Sequence, residues 1–353
     1  MQKDSKIYVA GHEGLVGSAI YGKLLSLGYT NVIGKSIFEM DLTDPVQVEE
    51  YFAKEKPEYV ILVAAKVGGI QDCMQHPCDY LVQNLNIELN VLSASYRYGV
   101  KKLIFISSAC IYPDNMDVPI KESAIMTGSL EVPNEPYGLA KIVGVKGCDM
   151  YNRQYGTNFI SVIPSNLYGP NGNRDLRRAH VVISLIRKFH LAKWLDNGEW
   201  KLIRDDLAKY PISDEPVGDS EEQIVASLER IGITRGHITL WGTGNARREF
   251  LWSEDLADVC LYVLDNIEFT DLKDFAPSYQ INVGIGDDIS IHDLAHLVSK
   301  EVGYKGVIHF DASKPEGVKR RCLNVDRIHS LGWHHKVSIE QGINILCKSY
   351  LTI

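Results

Sequence analysis

The sequence predicts an α/β protein built on a doubly wound parallel sheet, with a smaller α/β domain interwoven towards the C-terminus. Short apolar runs of strand length alternate with amphipathic stretches of helical length, and a glycine-rich turn follows the first run. That alternation is the pattern of parallel strands joined by crossover helices, which then cover both faces of the sheet.

In order, KIYVAG reads as a strand and about Leu15 to Leu27 as a helix, then NVIGK as a strand and about Pro45 to Glu55 as a helix. YVILVAA, the helical segment Tyr80 to Tyr98, KKLIFISS, the helical segment Tyr137 to Tyr155 and NFISVIPSN continue the series. A polar, charge-rich stretch from about Leu191 to His237 interrupts it, and within that stretch Pro211 to Glu222 reads as an acidic loop. HITLWGTG, the amphipathic segment Ser253 to Asn266 and SYQINVG follow. The expected division is a first domain over 1–170, with later segments at about 240–266 and 280–290 crossing back to it. The second domain is expected over 171–353, including an insertion at about 191–237.

A chain of 353 residues can bury a large core. The opening MQKDSK has no apolar core of a signal peptide, and the longest apolar run, Tyr59 to Ala65, is far short of the roughly 20 residues that span a bilayer. Seven scattered cysteines do not make a disulfide scaffold, so a reducing cytoplasm is expected. Cys73, His76 and Cys78 have no second metal-ligand pair downstream, and no metal is expected. The net charge of -8 and the lack of a basic stripe argue against nucleic acid as a partner.

After the first strand comes Gly11-His12-Glu13-Gly14-Leu15-Val16-Gly17, running directly into a helix. Glycines allow the turn to approach a pyrophosphate, which sits at the positive helix N-terminus, so a Rossmann-like dinucleotide site is expected here. Asp41 and Leu42 at the end of the second strand region, and Ala64, Ala65 and Lys66 at the end of the third, are positional candidates for the same cofactor. Each could equally be an ordinary strand end.

The strand KKLIFISS leads into Ser107-Ser108-Ala109-Cys110-Ile111-Tyr112-Pro113, and Tyr137-Gly138-Leu139-Ala140-Lys141 follows further on. Residues four apart share a helix face, so the Lys141 ammonium is expected to lower the Tyr137 phenol from near 10. The tyrosine could then exchange a proton with a carbonyl or alcohol oxygen that Ser108 also hydrogen-bonds.

These motifs, together with AAKVGGI, NEPYGLAKI, AHVVISLIRKFH, LWGTGNARREFLW, SKPEGVKRR and LGWHH, make nearly the whole chain resemble the extended short-chain dehydrogenases/reductases. More narrowly it is similar to the GDP-L-fucose synthase branch, epimerase-reductases of GDP-4-keto-6-deoxymannose. The resemblance implies a homodimer and roles for Cys110 and His180 as base and acid in inverting C3 and C5, with Tyr137 protonating the C4 oxygen. It also implies that Pro164, Asn166, Leu167 and His180 lie along the cofactor, beside Tyr137 and Lys141. Asn166, Lys188, Trp241, Arg248 and Lys314 are implied near the GDP, with Arg247 solvated.

The chain departs from that pattern in three places. Glu13 and Ile37 stand where the family has basic residues for the 2′-phosphate of NADP. NADP is therefore the expected cofactor by resemblance, with NAD a competitor and Lys35 the candidate compensating cation. Lys188 replaces an arginine fork by a point charge. The insertion at about 191–237 could serve another GDP-linked sugar, such as a 6-deoxyheptose, or only cover a surface. A noncatalytic dinucleotide sensor is the rival outside enzymes, and intact Ser108, Tyr137 and Lys141 speak against it.

Overall fold

The computed structural model describes residues 1–177, 179–212, 217–218, 220–314 and 317–350. Parts of the expected acidic loop and of SKPEGVKRR lie outside these residues. The first strands and helices are β1 (Ile7–Ala10), α1 (Leu15–Ser26), β2 (Val32–Ile33), α2 (Pro45–Glu55), β3 (Tyr59–Leu62), α3 (Ile70–Gln75) and α4 (Pro77–Arg97). They continue with β4 (Lys102–Ile106), α5 (Glu135–Tyr155), β5 (Phe159–Pro164), β6 (Asn166–Tyr168), α6 (Val181–Asn197), α7 (Trp200–Lys209) and α8 (Glu221–Arg230). Next come β7 (Ile233–Thr234), β8 (His237–Trp241), β9 (Arg247–Arg248), β10 (Phe250–Trp252), α9 (Ser253–Asn266), β11 (Ile281–Val283) and β12 (Ile289–Ser290). The last are α10 (Ile291–Val302), β13 (Val307–Asp311), β14 (Arg320–Arg321), α11 (Asp326–Ser330) and α12 (Ile339–Tyr350).

Unit 1 comprises Met1–Leu167, Glu249–Asp287 and Cys322–Val337. Its parallel sheet has the order β11-β5-β4-β3-β1-β2. Every residue of β1, β4 and β5 is buried, as expected of strands covered on both faces. Local chemistry sets the helices between them: Asp44 caps α2 by accepting from the amide of Val46 at 2.8 Å, with Pro45 at the first helical position. The chain steps from β1 outward to β2 and returns on the other side to β3, so the strand order reverses between β1 and β3. Ligands of such sheets bind at the carboxyl ends of the strands where this reversal occurs.

The return segments of unit 1 begin later than the sequence suggests, at Glu249, and include 322–337, which the sequence reading did not assign there. Glu249 supplies a physical reason. Its fully buried carboxylate accepts from the amides of Gly286 and Leu323, both at 2.8 Å, tying the two segments together. A Cβ at Gly284 would lie 2.0 Å from the same carboxylate, so only glycine fits.

Unit 2 comprises Tyr168–Arg248, Asp288–Arg321 and Ser338–Ile353. It holds two three-stranded sheets, β13-β8-β7 and β12-β9-β14. The polar, charge-rich stretch from about Leu191 to His237 is largely helical among its described residues, since α6 runs on to Asn197 and α7 and α8 follow it. Charged residues mask this in composition, but one side of each helix is buried, through Ile203 and Leu207 in α7 and Ile224 and Leu228 in α8. Arg187 of α6, 0% exposed, anchors α7 by gripping Asp206 at 2.7 Å. The Tyr350 hydroxyl donates to the other oxygen of Asp206 at 2.5 Å, bringing α12 to the same point.

Candidate functional site

The loop after β1 is shaped by three glycines with different duties. Gly11 has φ +87, and a Cβ there would lie 2.8 Å from the Ala64 backbone, so the ends of β1 and β3 can approach only with glycine in place. At Gly17 a Cβ would fall 1.9 Å from the Gly11 carbonyl oxygen. Gly14 differs: its nearest neighbour for a Cβ is that same oxygen at 3.6 Å, leaving open space in front of it. Gly14 caps α1 without a side-chain hydrogen bond, and the first turn, which begins Leu15-Val16, has no acidic residue. A bare helix N-terminus facing open space suits a pyrophosphate, and the residues present fit a dinucleotide.

His12 packs over Gly34, where a Cβ would lie 2.5 Å from the imidazole ring, and Glu13 is exposed. Lys35 is not a free cation for a 2′-phosphate: its ammonium donates to Glu39 at 2.8 Å, and Ser36 donates to the same carboxylate through its amide and its hydroxyl, each at 2.9 Å. Together these hydrogen bonds, Lys35's foremost, pull the Glu39 carboxyl down to about 2. Asp41 turns into its own loop, accepting from the Thr43 amide and hydroxyl at 2.8 Å each, while Leu42 is buried in the core. Ala64, Ala65 and Lys66 follow β3 and are half-buried. Asn84 of α4, fully buried, clamps Lys66 by accepting from its amide at 2.9 Å and donating to its carbonyl at 3.1 Å. The sequence reading did not single out Asn84, because a polar residue inside a helix carries no mark of the strand end that it holds.

At the end of β4, Ser108 caps a short 3-10 turn over Ala109–Ile111, its hydroxyl accepting from the Cys110 amide at 3.4 Å. The N-terminal part of α5 lies against this turn. A Cβ at Gly138 would be 2.9 Å from the Cys110 carbonyl oxygen, which explains the glycine next to Tyr137. Ser108, Cys110, Tyr137 and Lys141 therefore gather within one unit, with the Lys141 ammonium 5.7 Å from the Tyr137 ring centroid.

The electrostatics of this cluster differ from the expectation. Lys141 is 1% exposed and its ammonium donates to the Ile106 carbonyl at 3.2 Å. It also faces the carboxylate of Glu88, 0% exposed, at 3.1 Å. Burial pushes the Glu88 carboxyl up while Lys141 draws it down. The Tyr137 phenol is held well above its ordinary value, first by burial, then by the charges of Cys110 and Glu88. Burial is the largest cause and outweighs any lowering by Lys141, whose ammonium also faces Glu88. Pro164 closes β5, and just beyond it in β6 Leu167 is half-buried and Asn166 donates through its amide to the Glu249 carbonyl at 2.9 Å.

The remaining candidates belong to unit 2. His180 caps α6 with no side-chain cap bond, and desolvation holds its imidazole below the ordinary value, the direction a helix N-terminus also favours. Two turns along α6, Lys188 is half-buried and burial brings its ammonium down to about 8. Trp241 is 56% exposed at the end of β8, and Lys314 is exposed beyond β13. Arg248 lies on β9 in register with Arg321 of β14, and Arg247 with Arg320. Arg247 is not simply solvated: it donates to the Asp288 carbonyl at 2.6 Å and to its carboxylate, which Arg320 shares at 2.5 Å. Alternation along the strands puts Arg247 and Arg320, both engaged by the buried Asp288 carboxylate, on one face and Arg248 with Arg321 on the other. Arg320 and Arg321 sit in SKPEGVKRR, but only the strand register reveals that they face β9. Among the described residues no cluster of His, Cys, Asp or Glu side chains could hold a metal ion, and no helix is long and apolar enough to cross a membrane.

The NAD dependent epimerase/dehydratase family matches residues 7–212 and 215–284. The chain is 41% identical to GDP-L-fucose synthase 1 of Arabidopsis thaliana, over 99% of this chain and 94% of that protein. Among solved structures, a GDP-6-OMe-4-keto-L-xylo-heptose reductase from Campylobacter jejuni is 40% identical, covering 100% of this chain and 99% of that one, with a TM-score of 0.93. A GDP-D-glycero-L-gluco-heptose synthase from Campylobacter jejuni, solved in the presence of NADPH, is 39% identical over 99% of each chain, with a TM-score of 0.92. With a family match over most of its length and these full-length likenesses, the chain belongs to the NAD-dependent epimerase/dehydratase family.

Proposed function

We propose that the protein is an NADPH-dependent epimerase-reductase that converts GDP-4-keto-6-deoxy-D-mannose to GDP-L-fucose. The observation that carries this reading is the gathering of Tyr137, whose burial favours the protonated phenol, with Ser108 and Cys110 at one strand end. A phenol that keeps its proton is set to donate it, which suits reduction of a ketone. Cys110 has no task in a simple 4-reductase, but it is a fitting base for the acidic protons beside a C4 carbonyl.

Ser108 and Tyr137 hydrogen-bond and polarise the C4 oxygen, Cys110 removes the proton at the adjacent carbon, and His180 returns one on the opposite face. A bound NADPH supplies the hydride that reduces C4. Tyr137 then transfers its proton to the resulting alkoxide, and Lys141 holds its position. The GDP diphosphate engages Lys188 and Arg248, with Trp241 walling the base and Asn166 and Lys314 nearby.

NADPH is favoured over NADH by the cofactor present with the heptose synthase, and seven cysteines carried as thiols suit the cytoplasm. A homodimer is supported by apolar side chains exposed in a row along α4 (Val82, Leu89, Tyr96) and along α5 (Leu139, Val143, Met150). Such a face on two helices that pack together is a surface for a second copy.

A GDP-linked 6-deoxyheptose is the second reading, favoured by the full-length likeness to the two GDP-heptose enzymes. Incubating the protein with GDP-4-keto-6-deoxymannose and NADPH or NADH, followed by NMR of the sugar, tests the proposal. GDP-L-fucose as the product supports it. No oxidation of either cofactor, alongside turnover of a GDP-ketoheptose, overturns it in favour of the second reading.

A further inference from the structure

The insertion at about 191–237 reaches back to the segment that carries His180. Arg187 of α6, with no solvent exposure, stands at the centre of the junction. Its guanidinium donates to Asp206 of α7 at 2.9 Å, to the carbonyl of Tyr210 just past α7, and to the Arg174 carbonyl at 2.9 Å. Arg174 precedes α6, and its own guanidinium lies over two rings. One is Tyr210 of the insertion, at 5.6 Å from the centroid, and the other is Tyr350 of α12, at 4.4 Å, both within cation-π range. The insertion therefore holds Arg174 twice, by its main chain through Arg187 and by its side chain through Tyr210.

From Arg174 the connection to His180 is short and built of hydrogen bonds. The Asp175 amide donates to the Asn173 side chain at 2.9 Å, and the Asp175 carboxylate accepts from the Arg177 amide at 3.0 Å and from its guanidinium at 2.7 Å. The Asp175 carbonyl accepts from the Ala179 amide at 2.7 Å, one residue before His180, whose own carbonyl accepts from Ser184 at 3.0 Å in α6. Gly172 lets the segment sit close to α6, since a Cβ there would lie 2.7 Å from the Ile183 side chain. A shift of Arg174 is thus passed to His180 by a tightly bonded turn.

We propose that the insertion is a brace for the turn that carries His180, with Tyr210 a positioning residue that acts through Arg174. The catalytic consequence rests on His180 being the acid of the proposed epimerisation, whereas the brace itself does not. A segment that only covered a surface needs apolar contact, which Ile203, Leu207, Ile224 and Leu228 supply. It does not need a buried charge that ends on a carbonyl of the His180 segment. A buried ion pair is costly beside apolar packing of the same volume, and what it adds is a fixed geometry between the residues that meet there.

Amide hydrogen exchange in the substrate-free protein, read on peptides covering 173–180, decides the brace. Tyr210→Ala removes the ring from Arg174 but leaves the Tyr210 carbonyl for Arg187. Arg174→Gln removes the cation but leaves the Arg174 carbonyl, and Tyr210→Phe keeps the ring. Exchange at Asp175, Arg177 and Ala179 should quicken about fivefold to tenfold in the first two variants, the size expected when a cation loses a partly buried ring. It should stay at the wild-type rate in Tyr210→Phe. Wild-type exchange in both Tyr210→Ala and Arg174→Gln overturns the proposal, and so does an equal quickening throughout α6, α10 and α12, which marks a general loss of stability.

With GDP-4-keto-6-deoxymannose, Tyr210→Ala should slow deuterium incorporation from solvent at the inverted carbons about tenfold. NADPH affinity and the reduction of a ketosugar already in the epimerised configuration should keep their wild-type values, and Tyr210→Phe should incorporate deuterium like the wild type. A loosened 173–180 segment with undiminished incorporation overturns Tyr210 as a positioning residue. A wild-type protein inactive on this sugar overturns the proposed reaction instead, and the backbone exchange still decides the brace.

Discussion

Glu39 draws the Lys35 ammonium to 2.8 Å at the end of the β2 region, beside the loop that would receive the adenosine end of a dinucleotide. Both side chains are well exposed, so the pair is weak and a bound phosphate could compete for the lysine. Removing the carboxylate charge should release Lys35 towards a 2′-phosphate. Glu39→Gln is expected to raise the NADPH-to-NADH ratio of kcat/KM several-fold, mainly through KM for NADPH. An unchanged ratio would show that Lys35 does not read the 2′-phosphate.

The glycine loop separates two effects that substitutions often confuse. Gly17→Ala places a Cβ 1.9 Å from the Gly11 carbonyl oxygen, so the loop must distort and thermal stability should fall with cofactor affinity. Gly14→Val meets only an ordinary contact at 3.6 Å, and its backbone φ of -73 suits any residue. This variant should melt like the wild type yet lose NADPH affinity by about tenfold or more, because the side chain stands before the helix N-terminus where a pyrophosphate would dock. Paired melting curves and fluorescence titrations with NADPH check this. Wild-type affinity in Gly14→Val would remove the loop from the cofactor site.

How far the sequence carries depends on how local the signal is. The β1-turn-α1 loop and the Tyr137/Lys141 spacing are legible because a few adjacent residues carry the whole geometry. Glu88 and Asn84 were not, since each acts on a residue distant in the chain, Lys141 and Lys66, and looks like an ordinary polar residue on an amphipathic helix. Glu249 hides in the same way, as its amide partners Gly286 and Leu323 are far along the chain. The stretch after Leu191 reads as polar and charge-rich because its many charges hide the short apolar repeats between them. Its helices bury apolar residues four apart, Ile203 with Leu207 and Ile224 with Leu228, and long-range contacts such as Arg187 with Asp206, which the sequence does not display, anchor them.

On the proposed role of Lys188 beside the diphosphate, substrate binding should have a pH dependence with a defined sign. Burial lowers its ammonium to about 8, so it is charged at neutral pH and becomes neutral as pH rises through that value. In the unfolded chain it would titrate near 10.4. Between these values the folded protein binds fewer protons, so this residue's contribution to stability rises with pH while its attraction for a diphosphate is lost. GDP affinity measured by calorimetry should weaken above about pH 8, and Lys188→Arg, whose guanidinium keeps its proton, should flatten that decline. A decline of equal size in Lys188→Arg would place the titrating group elsewhere.

Epimerisation and reduction can be separated at Cys110 and His180. Cys110→Ser should suppress deuterium incorporation from solvent at C3 and C5 of the 4-ketosugar while NADPH affinity stays at the wild-type value, because the Cys110 turn is separate from the glycine loop. Unchanged exchange would exclude Cys110 as the base. For His180 the sign follows from desolvation, which holds its imidazole below 6.5, so that most of it is neutral at pH 7. If protonated His180 is the acid, proton return at the inverted carbon should speed up as pH falls from 7 towards 6, until loss of the base form of Cys110 opposes it. His180→Gln should abolish that acidic rise, leaving the reduction step measurable with a ketosugar already in the epimerised configuration. Loss of both activities together in His180→Gln would mean that the residue shapes the bound sugar and does not deliver a proton.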